Sequence, residues 1–303
     1  MNNKSNISFL MPAYNCANTI KQSVMSIFDG NFEKGDEVIV VNDGSTDNTR
    51  EIILKLQKKY PDIHLIDNPK NLGCPASRNV GIGKSKNELI FNLDADNILA
   101  PNSIQRLKKY LIDEKADVAA FGGLYYFQYS TKVLSHKWIF NPGIFTLADF
   151  FSGPYTPSHC GNYLYTKKAW LKVGKYWENG PGLHESWFFT FKQLINGSKF
   201  VILSDSFYYH RIGYDSLTIR ETRNNHRNSL LATEMILPQI NLLEDADAAY
   251  VQSKEGSETW FDNIKEHPLK LKGQPLGKYG YVVYYKQTLL RRVASKILHT
   301  IYA

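Results

Sequence analysis

Apolar residues in the first third of the chain fall into two alternating rhythms. Short, nearly continuous runs, Ile7-Ser8-Phe9-Leu10-Met11, Glu37-Val38-Ile39-Val40-Val41, Ile63 to Ile66 and Glu88-Leu89-Ile90-Phe91-Asn92-Leu93, have the pattern of strands buried on both faces. Between them apolar residues recur at helical spacing, first Ile20, Val24, Ile27 and Phe28, then Ile52, Ile53, Leu56 and Tyr60. Asn18 can cap the first of these helices and Gly30 ends it; Pro61 stops the second. A short helix follows Asn71-Leu72-Gly73, with Pro75 near its first turn and Arg78 inside it. Strand and helix alternate as far as Leu111, which predicts an α/β domain with a mostly parallel central sheet flanked by helices.

The rhythm then loosens. After Asp117-Val118-Ala119-Ala120-Phe121 come aromatic, strand-like and loop segments, and Lys199 to Leu203 reads as a further strand. From about Arg220 the composition shifts. Leu230 to Leu243 reads as a helix interrupted by Pro238, and Gly273, Pro275, Gly277 and Gly280 mark a loop before a last helix. That helix carries Leu289, Leu290, Val293, Ile297, Leu298 and Ile301 at helical spacing, with basic residues between them. A basic amphipathic helix lies in an anionic membrane interface, or packs on its own domain or on a second subunit; the pattern leaves these open.

Composition narrows the class without deciding it. The 303 residues are 43% hydrophobic and 21% charged, as in an ordinary soluble protein. The net charge of +7 suits an anionic partner. The apolar run Ile7 to Met11 is much shorter than a signal-peptide core, and no stretch reaches membrane-spanning length, so a cytoplasmic protein is expected. Cys16, Cys74 and Cys160 form no C-x-x-C pair, and neither a disulfide framework nor a zinc site is indicated.

Candidate chemistry gathers where the fourth predicted strand ends. Asp94-Ala95-Asp96 puts two carboxylates just past a buried strand, where they are costly unless a cation or hydrogen-bond donors meet them. Carboxylate oxygens suit Mg²⁺ or Mn²⁺, with substrate phosphates filling further positions. Acids in such a loop also serve as helix caps. Three strand ends on one edge carry Pro12-Ala13-Tyr14-Asn15, Asp43 and Asp94-Ala95-Asp96, and ligands of open parallel sheets bind at the carboxyl ends of the strands. That convergence goes beyond capping.

In order, Pro12-Ala13-Tyr14-Asn15, Val41-Asn42-Asp43-Gly44-Ser45-Thr46-Asp47, Ala76-Ser77-Arg78-Asn79-Val80-Gly81 and Leu93-Asp94-Ala95-Asp96 resemble the motifs of family 2 glycosyltransferases. The resemblance implies a GT-A (Rossmann-like) fold over residues 1–219, with a nucleotide-binding half at 1–111, an acceptor-binding half at 112–219 and a helical C-terminal extension at 220–303. It further implies that Pro12, Ala13, Tyr14 and Asn15 line the base pocket, that Asp43 accepts from the nucleobase, that Arg78 and Ala95 flank the nucleotide, that Asp94 faces the ribose and that Asp96 binds the metal. Asn97 stands where many relatives have a further Asp.

Later segments extend the likeness. His184-Glu185-Ser186-Trp187 resembles the family's acidic motif, usually Glu-Asp ahead of a helix, which makes Glu185 the expected base and His184, Ser186 and Trp187 expected acceptor contacts. A hydroxyl nucleophile needs such a positioned carboxylate. Ser186 replaces the usual second acid, and the same residues can cap a helix. The segment from Phe207 to Thr218 resembles the family's late motif, with His210 a candidate metal ligand and Arg211 a candidate diphosphate clamp. Tyr125, Tyr126, Phe127, Tyr129, Trp138 and Phe140 form either a sugar platform or a core under loops.

The expected function is inverting, Mn²⁺- or Mg²⁺-dependent transfer from a nucleotide-sugar, UDP first, to a hydroxyl of a saccharide, lipid-linked or protein acceptor. Surface polysaccharide or glycoconjugate synthesis is the expected setting. The partners expected are the donor, the acceptor, the inner membrane face through the basic last helix, and a second copy of the chain, with no nucleic acid. Two alternatives stand beside it. A catalytically silent nucleotide-sugar-binding subunit is kept open by Ser186, and a nucleotidyltransferase is disfavoured because the loop after the first strand lacks glycine and cations. A dinucleotide-dependent dehydrogenase lacks its G-x-G-x-x-G.

Overall fold

A computed structural model describes residues 5–159, 161–178, 185–213, 225–285, 293 and 297. The predicted alternation is present: β1 (Ile7–Ala13), α1 (Ile20–Phe28), β2 (Glu37–Asn42), α2 (Thr49–Lys59), β3 (Ile63–Asp67), α3 (Cys74–Lys84) and β4 (Leu89–Asn92). These four strands lie in the order β3-β2-β1-β4, every pair parallel. Every residue of β2 and β4 is buried, which is why those runs are apolar without alternation.

The second half turns the sheet mixed. It contains β5 (Ile98–Leu99), α4 (Ser103–Asp113), β6 (Val118–Phe127), β7 (Leu134–Ile139), β8 (Gly143–Phe145), α5 (Leu147–Phe150), β9 (Leu164–Thr166), α6 (Lys167–Lys172), α7 (Glu185–Ile195) and β10 (Phe200–Arg211). Strand β9 runs antiparallel between β4 and β6, while the long β10 runs parallel to β6 from Val118 to Phe127. That pairing carries His210 and Arg211 back to the end of β4.

The extension holds α8 (Asn225–Ile236), a 3-10 turn at Leu237–Leu242 containing Pro238, α9 (Asp245–Gln252), α10 (Lys254–Thr259) and β11 (Tyr281–Tyr284). The proline break falls where the sequence puts it. The extension is not wholly helical, however: β11 pairs antiparallel with β7 at the end of the sheet. Trp260 and Phe261 are buried against Trp187, at ring-centroid distances of 6.0 and 4.8 Å, so the extension shares the core of the preceding residues. Most of the expected last helix lies outside the described residues. No helix among the described residues is long and apolar enough to cross a membrane.

Candidate active site

The carboxyl ends of β1, β2 and β4 meet on one edge, and two loops there are tied together before any ligand is considered. Asn15, at a left-handed φ of 49°, accepts from Thr46 N at 2.8 Å through Oδ1, and its own N–H donates to Ser45 Oγ at 3.0 Å. Asp43 N donates to Ala13 O at 2.8 Å, and Ala17 N to Asp47 Oδ2 at 3.0 Å. Tyr14 is about half exposed at the rim. Pro12 to Asn15 and Asp43 therefore come together as expected. Asp43 is buried and already accepts three bonds, from Asn68 Nδ2 at 2.8 Å and from the N–H groups of Leu72 and Gly73 at 2.9 Å each. A carboxylate offers about four acceptor positions, so one is left for a donor outside this set.

Helix α3 brings Arg78 beneath the same edge. It packs closely on β1 because Gly81 has no side chain; a Cβ there would stand 2.1 Å from Leu10 Cδ1. Arg78 is 2% exposed and forks between two acids: Nη2 donates to Asp94 Oδ1 at 2.9 Å and Nη1 to Glu185 Oε1 at 2.7 Å. Nη1 also lies 3.3 Å from Ser186 Oγ, and the Tyr176 ring sits 5.3 Å from the guanidinium. Its Nε is buried without a partner among the described residues. Burial alone would push the guanidinium down, but the surrounding acids outweigh it and hold it well above its ordinary value. Arg78 is thus a permanent cation between the two halves of the site.

Glu185 opens α7 and is buried. Burial pushes its carboxyl above the usual 4.5, the Arg78 charge pulls it back, and the Asp94 charge raises it further; the balance is upward. A carboxylate of raised pKa is a stronger proton acceptor than a solvated one. Ser186 stands beside it rather than in solvent, and Gly161, at φ +65°, passes so close that a Cβ would lie 2.3 Å from Ser186 Oγ.

Asp94 is held from three sides. Besides Arg78 it receives Asn162 Nδ2 at 2.7 Å and Asn97 Nδ2 at 3.3 Å on Oδ2, and its own N–H donates to Asn162 Oδ1 at 2.9 Å. Asp96 differs. No other side chain makes a hydrogen bond or ion pair to its carboxylate among the described residues, and burial followed by the Asp94 charge pushes it from 3.8 up to about 7, against the pull of Arg211 and of its own backbone N–H. Ala95 is buried between the two. A carboxylate met by no other side chain, beside a second acid, suits a hard divalent ion whose shell phosphate and water oxygens complete. No group of three His, Cys, Asp or Glu side chains that could hold a metal occurs among the described residues.

Three expectations change. His210, expected to complete a metal shell, faces Asn97 instead: Asn97 Oδ1 takes the Arg211 N–H at 3.0 Å, so its Nδ2 is the atom 3.4 Å from His210 Nδ1. Burial lowers that imidazole to about 4 and keeps it neutral, with its proton on Nε2. Arg211 is no diphosphate clamp in this arrangement. It is 3% exposed and donates to Asp96 O at 3.0 Å and Gln22 Oε1 at 2.6 Å, bracing the acidic turn from beneath. Trp187 is fully buried against Phe150, Phe191 and Trp260, and so does not reach an acceptor. Among the candidate platform residues, Phe127 and Phe140 belong to the core, and the Tyr125 and Phe207 rings stack on each other at 3.9 Å. His184 lies outside the described residues, as does Cys160. Asn162 was missed; its only signal is a polar residue beside Gly161 in a loop that nothing in the local pattern ties to Asp94.

The glycosyl transferase family 2 model matches residues 8–174. Among curated proteins, the chain is 38% identical over 109 residues to a chondroitin synthase of Pasteurella multocida, covering 36% of this chain and 11% of that protein. It is 37% identical over 123 residues to an uncharacterized glycosyltransferase of Haemophilus influenzae, covering 40% of this chain and 37% of the relative. These alignments span well under half the length of either relative. Among solved structures, S. aureus TarS 1-349 in complex with UDP-GlcNAc superposes with a TM-score of 0.65 at 18% identity, over 84% of this chain and 73% of that one. A mannosyltransferase of Pyrobaculum calidifontis in complex with GDP-Man and Mn2+ gives 0.56 at 16% identity, over 78% and 64%. At such identities the likeness is one of fold, and the fold is GT-A.

Proposed function

The chain belongs to glycosyl transferase family 2, and on that premise we propose that it transfers a sugar from a nucleotide-sugar to an acceptor hydroxyl with inversion at the anomeric carbon. The observation that carries this reading is the Arg78 fork, which ties Asp94 on the donor side to Glu185 on the acceptor side through contacts of 2.9 and 2.7 Å. In this reading the 12–15 loop and the open position on Asp43 take the base, Asp94 takes the ribose, and Glu185 removes the acceptor proton as the hydroxyl oxygen bonds to the sugar carbon and the nucleoside diphosphate leaves. Ser186, next to Glu185, orients the acceptor.

The lone carboxylate of Asp96 fits Mn²⁺ or Mg²⁺. When bound, such an ion supplies electrostatic stabilisation to the departing diphosphate. Asp96 would hold that ion at the diphosphate end of the donor while Asp94 faces the ribose, and Arg211 keeps the turn that carries them in place. UDP is the proposed carrier, since a protein of the same fold is solved with UDP-GlcNAc. The acceptor is proposed to be a growing polysaccharide or a lipid-linked or protein-borne glycan at the inner membrane face.

Calorimetric titration with UDP, GDP and dTDP, each with and without Mn²⁺ and repeated on Asp96→Ala, tests the donor site. Metal-dependent binding of one nucleotide, lost in the variant, supports it; no binding under any condition removes it. The Glu185–Arg78 ion pair also favours one second reading, a donor-binding subunit in which the carboxylate is permanently neutralised and no transfer occurs.

A further inference from the structure

The Arg78 guanidinium is gripped at its Nη atoms by Glu185, Ser186 and Asp94, while its Nε has no partner among the described residues. Bonds at the two Nη atoms leave the planar group free to tilt about the line that joins them. A further contact limits that tilt: the ring of Tyr176, whose centroid lies 5.3 Å from the guanidinium carbon. A buried cation is attracted to an aromatic face by the ring quadrupole, and a planar guanidinium also stacks on it.

Tyr176 is itself held firmly. Asn79, the residue after Arg78 on α3, clasps its backbone: Nδ2 donates to Tyr176 O at 2.9 Å, and Oδ1 accepts the Tyr176 N–H at 3.0 Å. The same amide accepts from Trp170 Nε1 at 3.2 Å and donates to Glu178 Oε1 at 2.8 Å. The Tyr176 hydroxyl accepts from Asn92 Nδ2 at 2.7 Å, at the end of the strand that leads into Asp94, and the ring stacks on Phe189 of α7 at 4.0 Å. Tyr176 thus touches α3, β4 and α7, the elements that carry or lead into Arg78, Asp94 and Glu185. The chain bends sharply to put it there. Gly174 and Lys175 stand at φ +78° and +73°, and for Lys175 that left-handed conformation is strained. Tyr176 is buried, and burial holds its phenol well above the ordinary value, so the hydroxyl stays protonated and takes no part in proton transfer.

We propose that Tyr176, clasped by Asn79, is a positioning residue for the transfer: its ring face sets the tilt of Arg78 and, through Arg78, the places of Glu185 and Asp94. The effect on rate rests on the proposed transfer reading, whereas the tilt of the guanidinium is a property of the protein alone. A ring that only filled space would not need both of its backbone groups tied to the neighbour of Arg78.

The test compares Tyr176→Leu, or Tyr176→Met where the first does not fold, and Tyr176→Phe with the parent. Three readouts are taken: steady-state turnover of the nucleotide-sugar, UDP affinity, and ¹⁵N NMR of arginine-labelled protein, with the Arg78 signals assigned by their loss in Arg78→Lys. The aliphatic variant is expected to lower kcat at least about tenfold with donor KM and UDP affinity unchanged, because a small misplacement of reacting groups costs rate rather than binding. It is also expected to merge the separate Nη resonances of a pinned guanidinium into averaged ones. Tyr176→Phe keeps the ring and is expected to restore both kcat and the separate resonances. Arg78 resonances that stay separate in the aliphatic variant, or a kcat that stays at the parent value, overturn the proposal and leave Tyr176 a packing residue. So does a loss in Tyr176→Phe as large as that in the aliphatic variant. Absence of turnover and of UDP binding in the parent would instead sink the transfer reading, and the Arg78 resonances would still decide whether Tyr176 sets the guanidinium.

Discussion

Arg78 and Glu185, 107 residues apart in the chain, meet in a buried ion pair of 2.7 Å. The pair closes the nucleotide-side helix α3 onto α7, and because the same guanidinium holds Asp94, any change at Arg78 reaches both ends of the site.

Arg78→Ala leaves two buried or part-buried acids facing each other unpaired. Loss of one partner of such a pair costs about 3–5 kcal/mol, so thermal melts should show a large fall in Tm. Arg78→Lys keeps the charge but has no fork to span both carboxylates. Its Tm should fall less, while turnover drops about 100-fold through misplacement of Glu185.

Since burial holds the Glu185 carboxyl above 4.5, it takes up a proton earlier than a solvated glutamate as pH falls. A base must be deprotonated, so kcat should decline on the acid side with a midpoint above 4.5. A kcat profile from pH 4.5 to 8 checks this. Flat activity to the bottom of that range contradicts it.

Asp96 offers a test without any substrate. With the folded carboxyl near 7 and the unfolded one near 3.8, the native state keeps a proton that the unfolded state releases, and stability is lost as pH rises through that window. Discounted for partial exposure, the loss is about 2 kcal/mol. In metal-free protein Asp96→Asn should therefore melt several degrees higher than the parent at pH 8, with the gap closing toward pH 4. Added Mn²⁺ should raise the Tm of the parent and not that of the variant.

At Gly161 a methyl group meets both a left-handed backbone and the Ser186 hydroxyl at 2.3 Å. Gly161→Ala should cost about 1–2 kcal/mol from the backbone alone and shift Ser186 and Arg78. Turnover should fall, and a second change, Ser186→Gly, should recover part of the stability by clearing the contact.

The strands of the nucleotide half were legible because they are buried on both faces and leave no alternation to misread, and because each is punctuated by Pro, Gly or Asn. The acids at their ends were legible for the same reason. What was hidden depends on partners distant in sequence. Trp187 looks like a surface aromatic beside an acidic motif until Trp260 and Phe261 arrive from the extension to cover it. Tyr281 to Tyr284 lies just past a Gly- and Pro-rich loop, and only the edge offered by β7 makes it a strand. The joining of Glu185 to Arg78, and of Asn162 to Asp94, follows from topology that no local pattern encodes.

The base role of Glu185 is tested by Glu185→Gln, assayed for nucleotide-sugar turnover with Mn²⁺ and for UDP affinity by calorimetry on one preparation. Removal of a general base costs about 10²–10⁴-fold in rate, and that loss is expected in kcat with UDP affinity unchanged. Turnover equal to the parent, with UDP still bound, would contradict it and take the base role from Glu185.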